Sequence, residues 1–128
     1  MKRIVIVEDN PDNAELVLDL LEDQYQVDIF YNGADLLNHL EAEPDFKPDA
    51  FLLDISLPNM DGITLQKELR KLERFSKAPM LALTAHAMKD DRRHLLDAGF
   101  NEYMSKPIVD EALLVGKIEM LTDGAASS

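Results

Sequence analysis

Several short apolar runs in this chain end in residues able to do chemistry. Ile4-Val5-Ile6-Val7 runs into Glu8 and Asp9, Ala50-Phe51-Leu52-Leu53 into Asp54, Pro79-Met80-Leu81-Ala82-Leu83 into Thr84, and the stretch from Asn101 to Ser105 into Lys106. Brought together, three carboxylates repel one another, and one or more would keep its proton unless a cation entered. A hard, oxygen-seeking divalent cation resolves that repulsion. Mg²⁺ suits the set, because it takes one or two carboxylates, keeps several waters and readily adds a phosphate oxygen. The remaining parts fit phosphoryl transfer. An ionised Asp54 can attack phosphorus to give an aspartyl phosphate, while Mg²⁺, Lys106 and Thr84 neutralise or hydrogen-bond the phosphoryl oxygens. No general base is required, since the carboxylate is already the nucleophile.

These residues converge only if the apolar runs are parallel strands with aligned ends. The pattern supports this. Asn10-Pro11 reads as a helix cap with Pro at the first helical position, and Ala14, Val17, Leu18 and Leu21 follow at helical spacing. A second strand over Val27 to Tyr31 breaks at Asn32-Gly33 before a helix carrying Leu36, Leu37 and Leu40. Glu43 to Lys47-Pro48 is a loop. Asp61-Gly62 opens a third helix with Leu65, Leu69 and Leu72 on its inner face. A fourth runs from Lys89 to Ala98, stopped by Gly99. The last starts near Asp110, with Leu114, Ile118 and Leu121 on one face. Five β-α units predict an α/β fold: a five-stranded parallel sheet with helices on both faces, in the flavodoxin-like order 2-1-3-4-5. Its ligand crevice lies at the carboxyl ends of the strands. One domain is expected over 1–122, with a flexible tail over 123–128.

The composition narrows the function. The 128 residues carry 25 Asp plus Glu against 13 Lys plus Arg, a formal net charge of −12, and no Cys. Such a surface repels nucleic acids and anionic membranes. Without Cys there is no disulfide scaffold, redox dithiol or thiolate metal site. The apolar runs fall well short of the roughly 20 residues that cross a bilayer, and the start is too briefly apolar for a signal peptide. A cytoplasmic protein is expected.

Four stretches resemble the receiver domain of two-component response regulators. They are Ile4 to Asn10, Leu53-Asp54-Ile55-Ser56-Leu57-Pro58-Asn59-Met60-Asp61-Gly62, Ala82-Leu83-Thr84-Ala85, and Tyr103-Met104-Ser105-Lys106-Pro107. They occur in order, and the resemblance runs from about Lys2 to Leu121. It implies that Asp54 is the phosphoacceptor, supplied by a phosphohistidine on a sensor histidine kinase or a histidine phosphotransfer protein. Glu8 and Asp9 would hold Mg²⁺, Asp9 the more directly, with Asp54 and the Ser56 backbone carbonyl completing the protein ligands. Thr84 and Lys106 would meet the phosphoryl group, and Tyr103 would turn inward as Thr84 moves. A cis peptide before Pro107 is expected of the family. Ser56 and His86 occupy the positions that tune dephosphorylation, His86 by positioning water or by screening it. Glu8 stands where Asp is also common, which alters reach but not chemistry.

Taken singly, these residues have plainer readings. Asp9 and Asp61 read as helix caps, Tyr103 as a half-buried strand residue, His39 and His94 as exposed bystanders, and the Met residues as filler. Only the combination points to a site. The expected function is a phosphorylation switch, a phosphoprotein with self-catalysed phosphorylation and dephosphorylation rather than an enzyme. Its fourth helix, fifth strand and fifth helix would signal to a downstream protein target or serve a phosphorelay, as a monomer or a phosphorylation-dependent dimer. Beginning at Met1 and ending soon after the last helix, the chain reads as a stand-alone regulator, with a truncated longer one as the alternative. A phosphohydrolase resembling the haloacid dehalogenases would need a second Asp where Ser56 stands, and a cap domain. A flavodoxin-like carrier would need a Ser/Thr/Gly-rich phosphate loop after the first strand.

Overall fold

The computed structural model describes residues 1–85, 89–106, 108 and 110–127, with backbone only for 89–91 and 123–127. Ten elements alternate along the chain: β1 (Arg3–Val7), α1 (Pro11–Leu21), β2 (Gln26–Phe30), α2 (Gly33–Ala42), β3 (Ala50–Asp54), α3 (Gly62–Arg70), β4 (Met80–Thr84), α4 (Lys89–Ala98), β5 (Glu102–Ser105) and α5 (Glu111–Ser127). All four strand pairings are parallel and the order is β2-β1-β3-β4-β5, as the alternation of patterns predicts. α5 includes most of the residues expected as a tail.

Alternate residues of each strand feed two separate cores. Val5 and Val7 of β1, Phe51 and Leu53 of β3, and Met80 and Ala82 of β4 pack beneath Leu36 and Leu40 of α2, Leu65 and Leu69 of α3 and Leu95 of α4. On the opposite face Ile4, Ile6, Leu52, Leu81 and Leu83 meet Val17 and Leu21 of α1 and Leu114 and Ile118 of α5. β3 and β4 are buried along their whole length, which is why both read as continuous apolar runs rather than alternating ones.

The helix ends follow local chemistry. The Asn10 side chain accepts from the N–H groups of Asp12 and Asn13, with Pro11 next in line. Asn32 and Asp61 cap α2 and α3 in the same manner, and the Asp110 carboxylate accepts the Leu113 N–H at 2.9 Å. Gly99 ends α4 at φ +120, and a Cβ there would come within 2.3 Å of the Gln66 side chain.

Two expectations need correction. Leu72 does not extend the inner face of α3: the helix ends at Arg70 and Leu72 is exposed. Phe75, in a single 3-10 turn over Glu73–Phe75, fills that place instead and stacks edge-on against Phe51. His39 is half-buried rather than an exposed bystander, with its ring between Phe30 and Phe46. His94 is exposed as expected.

Candidate functional site

Register brings the site together. Val7 pairs with Leu53, so Glu8 and Asp54, each one residue further on, leave adjacent strands side by side. Asp54 pairs with Leu83 and Thr84 with Ser105, so the next residues outward are Thr84 and Lys106. The backbone ladder continues past the strand ends: Glu8 N–H donates to Phe30 O at 3.0 Å, Ile55 N–H to Leu83 O at 2.9 Å and Lys106 N–H to Thr84 O at 2.8 Å. These bonds hold the roots of the functional side chains at fixed height.

The side chains meet in the crevice. Glu8, Asp9 and Asp54 each offer a carboxylate oxygen, and these oxygens lie within 4.8 Å of one another. Glu8 and Asp54 are each 1% exposed, whereas Asp9 is open to solvent. Lys106 reaches inward from β5, placing Nζ 3.0 Å from Asp54 Oδ2 and 3.3 Å from Glu8 Oε2. Asp54 Oδ1 accepts the Ser56 N–H at 3.0 Å. Asp54 Oδ2 accepts no aligned hydrogen bond among the described residues, even with the ammonium beside it. Glu8 Oε1 accepts weakly from the Asn10 N–H and from Asn13 Nδ2, both at 3.4 Å.

The electrostatics follow from this count. Burial, and then the Asp54 carboxylate beside it, push the Glu8 carboxyl above its usual range, and Lys106 offsets only part of the shift. Burial pulls the Lys106 ammonium down, but Asp54 and Glu8 outweigh it and hold the group above its usual value. Three carboxylates therefore lie together, with the Lys106 ammonium against two of them, Glu8 and Asp54. The donors are all oxygen, and a buried Asp54 oxygen lacks an aligned partner. This set suits a hard divalent cation such as Mg²⁺. Thr84 is buried at the end of β4.

The family model of the response regulator receiver domain matches residues 4–119. This chain belongs to that family. A stretch of the signal transduction histidine-protein kinase BarA of Escherichia coli K12 is 37% identical over 111 residues, covering 86% of this receiver but only 12% of the kinase. An uncharacterized 14.6 kDa protein of Leptolyngbya boryana is 37% identical over 106 residues, or 82% of this receiver and 79% of that protein. Among solved structures, the receiver domain of sensor histidine kinase PA1611 from Pseudomonas aeruginosa PAO1 is 32% identical, with a TM-score of 0.81 and coverage of 95% and 98%. That structure has a magnesium ion coordinated in its active-site cleft. A CheY-like receiver domain protein from Methanospirillum hungatei JF-1 is 28% identical, with a TM-score of 0.84 and coverage of 99% and 98%.

Of the residues singled out from the sequence, the receiver crevice brings together Glu8, Asp9, Asp54 and Lys106, with Ser56 adjoining through its N–H. Tyr103 lies on β5, half-buried. His86 and Pro107 lie outside the described residues. Three contributors were given no role in the site from the sequence. Asn10 and Asn13 steady Glu8, and only the Asn10-Pro11 cap signal hinted at that neighbourhood. Gly62 is the third. A Cβ on it would sit 2.3 Å from the Asp54 carbonyl oxygen, and its N–H donates to Ile55 O at 3.1 Å. α3 can press against the backbone under Asp54 only because residue 62 has no side chain. Asn59 turns the intervening loop at φ 68, a conformation Asn tolerates better than most residues. Among the described residues, no helix is long and apolar enough to cross a membrane.

Proposed function

We propose that this receiver is a cytoplasmic phosphorylation switch whose phosphoacceptor is Asp54. The observation that carries the reading is the buried Asp54 carboxylate, with an ammonium 3.0 Å from one oxygen and two further carboxylates within metal-sharing distance. An Asp54 oxygen attacks the phosphorus of a phosphohistidine on a sensor kinase or phosphotransfer protein. The new O–P bond forms as the P–N bond breaks, and the electron pair returns to the imidazole nitrogen, which takes a proton. The acyl phosphate is later attacked at phosphorus by water, releasing inorganic phosphate and restoring the carboxylate. The chain thus promotes its own modification and its reversal, as a phosphoacceptor signalling protein rather than an enzyme.

Glu8, Asp9, Asp54 and the Ser56 backbone carbonyl would hold Mg²⁺, which when bound neutralises charge on the phosphoryl oxygens. Lys106 would pair with a phosphoryl oxygen, and the Thr84 hydroxyl would hydrogen-bond another. Ser56, beside Asp54, and His86 would tune the rate of water attack. Added charge at Asp54 biases Thr84 and then Tyr103, and so the surface of α4, β5 and α5, toward a protein target, an onward phosphorelay or a phosphorylation-dependent dimer.

Intact mass after incubation with Mg²⁺ and acetyl phosphate tests the reading. One added phosphoryl group is expected, absent from Asp54→Asn and lost with chelator. If there is no adduct, and neither beryllofluoride nor Mg²⁺ binds, the reading fails.

A further inference from the structure

Tyr103 occupies an outer strand of the sheet, where its side chain has neighbours of two kinds. It packs on the core beneath α2, α3 and α4. It also lines a groove of about 360 Å³ between β5 and α5, together with Leu113 and Lys117. Lys117, on α5, places Nζ 6.0 Å from the Tyr103 ring centroid and 3.2 Å from Glu102 Oε1. Both members of that ion pair are largely shielded, at 20% and 18% exposure. The same Glu102 oxygen accepts the backbone N–H of Tyr103 at 3.1 Å. One carboxylate therefore holds both the residue's backbone and the cation beside its ring.

A cation at about 6 Å is at the outer limit of useful attraction to an aromatic ring. A free lysine would also lose rotamer entropy by staying there. Glu102 removes most of that cost by anchoring the ammonium, so the weak ring contact is made from a fixed position. The pair joins α5 to β5 beside the ring that must move if β5 is to report on Asp54.

We infer that the Lys117–Glu102 pair is a latch that holds the Tyr103 ring at the groove and opposes its inward movement. The inference rests on the switch reading above and adds positioning residues to it. When the ring withdraws, Lys117 loses its aromatic neighbour and the groove beside Leu113 opens. A partner that engages Lys117 would by linkage favour the inward ring, and with it the phosphorylated form of Asp54.

The chain has three Tyr and no Trp, so 3-fluorotyrosine labelling gives a simple ¹⁹F spectrum in which Tyr103→Phe identifies the resonance of interest. In the wild type, Mg²⁺ with beryllofluoride should move that resonance. Lys117→Met should move it toward the same position without beryllofluoride, with the inward-to-outward ratio raised about 2- to 5-fold. Glu102→Gln keeps an acceptor for the Tyr103 N–H but breaks the ion pair, and should shift the resonance the same way by less. Lys117→Arg should leave it in place. Thermal unfolding of each variant is followed in parallel, and if Lys117→Met does not fold, Glu102→Gln decides. A resonance unmoved in the folded neutral variants overturns the latch. If beryllofluoride binds, as its own ¹⁹F signals would show, yet leaves wild-type Tyr103 unmoved, the switch reading fails and the latch with it.

Discussion

At the carboxyl ends of β1 and β3, three carboxylates crowd together, the Lys106 ammonium reaches two of them, and among the described residues a buried Asp54 oxygen has no aligned donor. At the amino ends of β4 and β5, Arg70 meets an acceptor with every guanidinium nitrogen. Its Nε donates to Gln66 Oε1, its Nη1 to the carbonyls of Phe75, Ser76 and Ala78, and its Nη2 to Gly99 O and Asn101 Oδ1. Burial alone pulls the Arg70 guanidinium below its usual value. The network extends further, since Gln66 Nε2 donates to Ala98 O at 2.7 Å and Asn101 Oδ1 also accepts the Met80 N–H at 2.8 Å. The Arg70 network satisfies its polar groups with neutral partners and ties three segments together. The other leaves like charges crowded. Crowding of that kind costs stability in the free protein and is relieved only by something that binds. The fold therefore keeps the Arg70 network and the crowded carboxylates at opposite ends of the strands.

Breaking the stabilising end should have the largest effect on folding and the least on chemistry. Arg70→Met removes the charged donor and leaves several carbonyls short of partners, so unfolding free energy should fall by about 3 kcal/mol. Mg²⁺ affinity, measured by titration on the folded variant, should stay within about twofold, because additivity holds for distant sites. A large loss of Mg²⁺ affinity would show that the two ends are coupled.

Gly62→Ala probes where stability and chemistry share a backbone. The added methyl would lie 2.3 Å from the Asp54 carbonyl oxygen, so α3 or the end of β3 must move. A cost of about 2 kcal/mol is expected from overpacking. Unlike Arg70→Met, this change should also weaken Mg²⁺ binding, since it displaces the residue that presents the Asp54 carboxylate. Denaturant unfolding and Mg²⁺ titration on the same sample read both effects.

Legibility in the sequence follows the same division. The site end could be read because a parallel sheet aligns its carboxyl ends, so residues far apart in the chain meet once the strands are ordered. Asp54 after Ala50 to Leu53 is the clearest instance. The opposite end could not be read, because its meaning depends on tertiary partners. Gln66 looks like a polar helix residue and is in fact buried, its amide spent on Ala98 O and Arg70. His39 has no sequence neighbour that marks it as buried. Phe30 of β2 and the return of Phe46 from the loop before β3 enclose it. Leu72 continued the heptad-like spacing of α3, but the helix stops two residues short, and Phe75 supplies the apolar contact from a 3-10 turn with no period of its own. Spacing identifies faces, but it does not report where a helix ends when the cap is a turn.

The smallest expected effect carries the opposite sign. With chelator present, Asp54→Asn removes one of three crowded carboxylates while Lys106 keeps Glu8 as a partner at 3.3 Å. The amide still offers an acceptor for the Ser56 N–H, which meets Asp54 Oδ1 at 3.0 Å in the wild type. The variant should therefore be more stable than the wild type by on the order of 1 kcal/mol, the small difference between the relieved carboxylate repulsion and the lost Lys106–Asp54 ion pair. Adding Mg²⁺ should narrow or reverse that difference, because the wild type gains a bound cation and the variant gains less. Thermal melts in chelator and in excess Mg²⁺ give both numbers. If Asp54→Asn is destabilising in chelator, the Lys106–Asp54 contact outweighs the carboxylate repulsion, and the two ends of the sheet would differ in composition but not in strain.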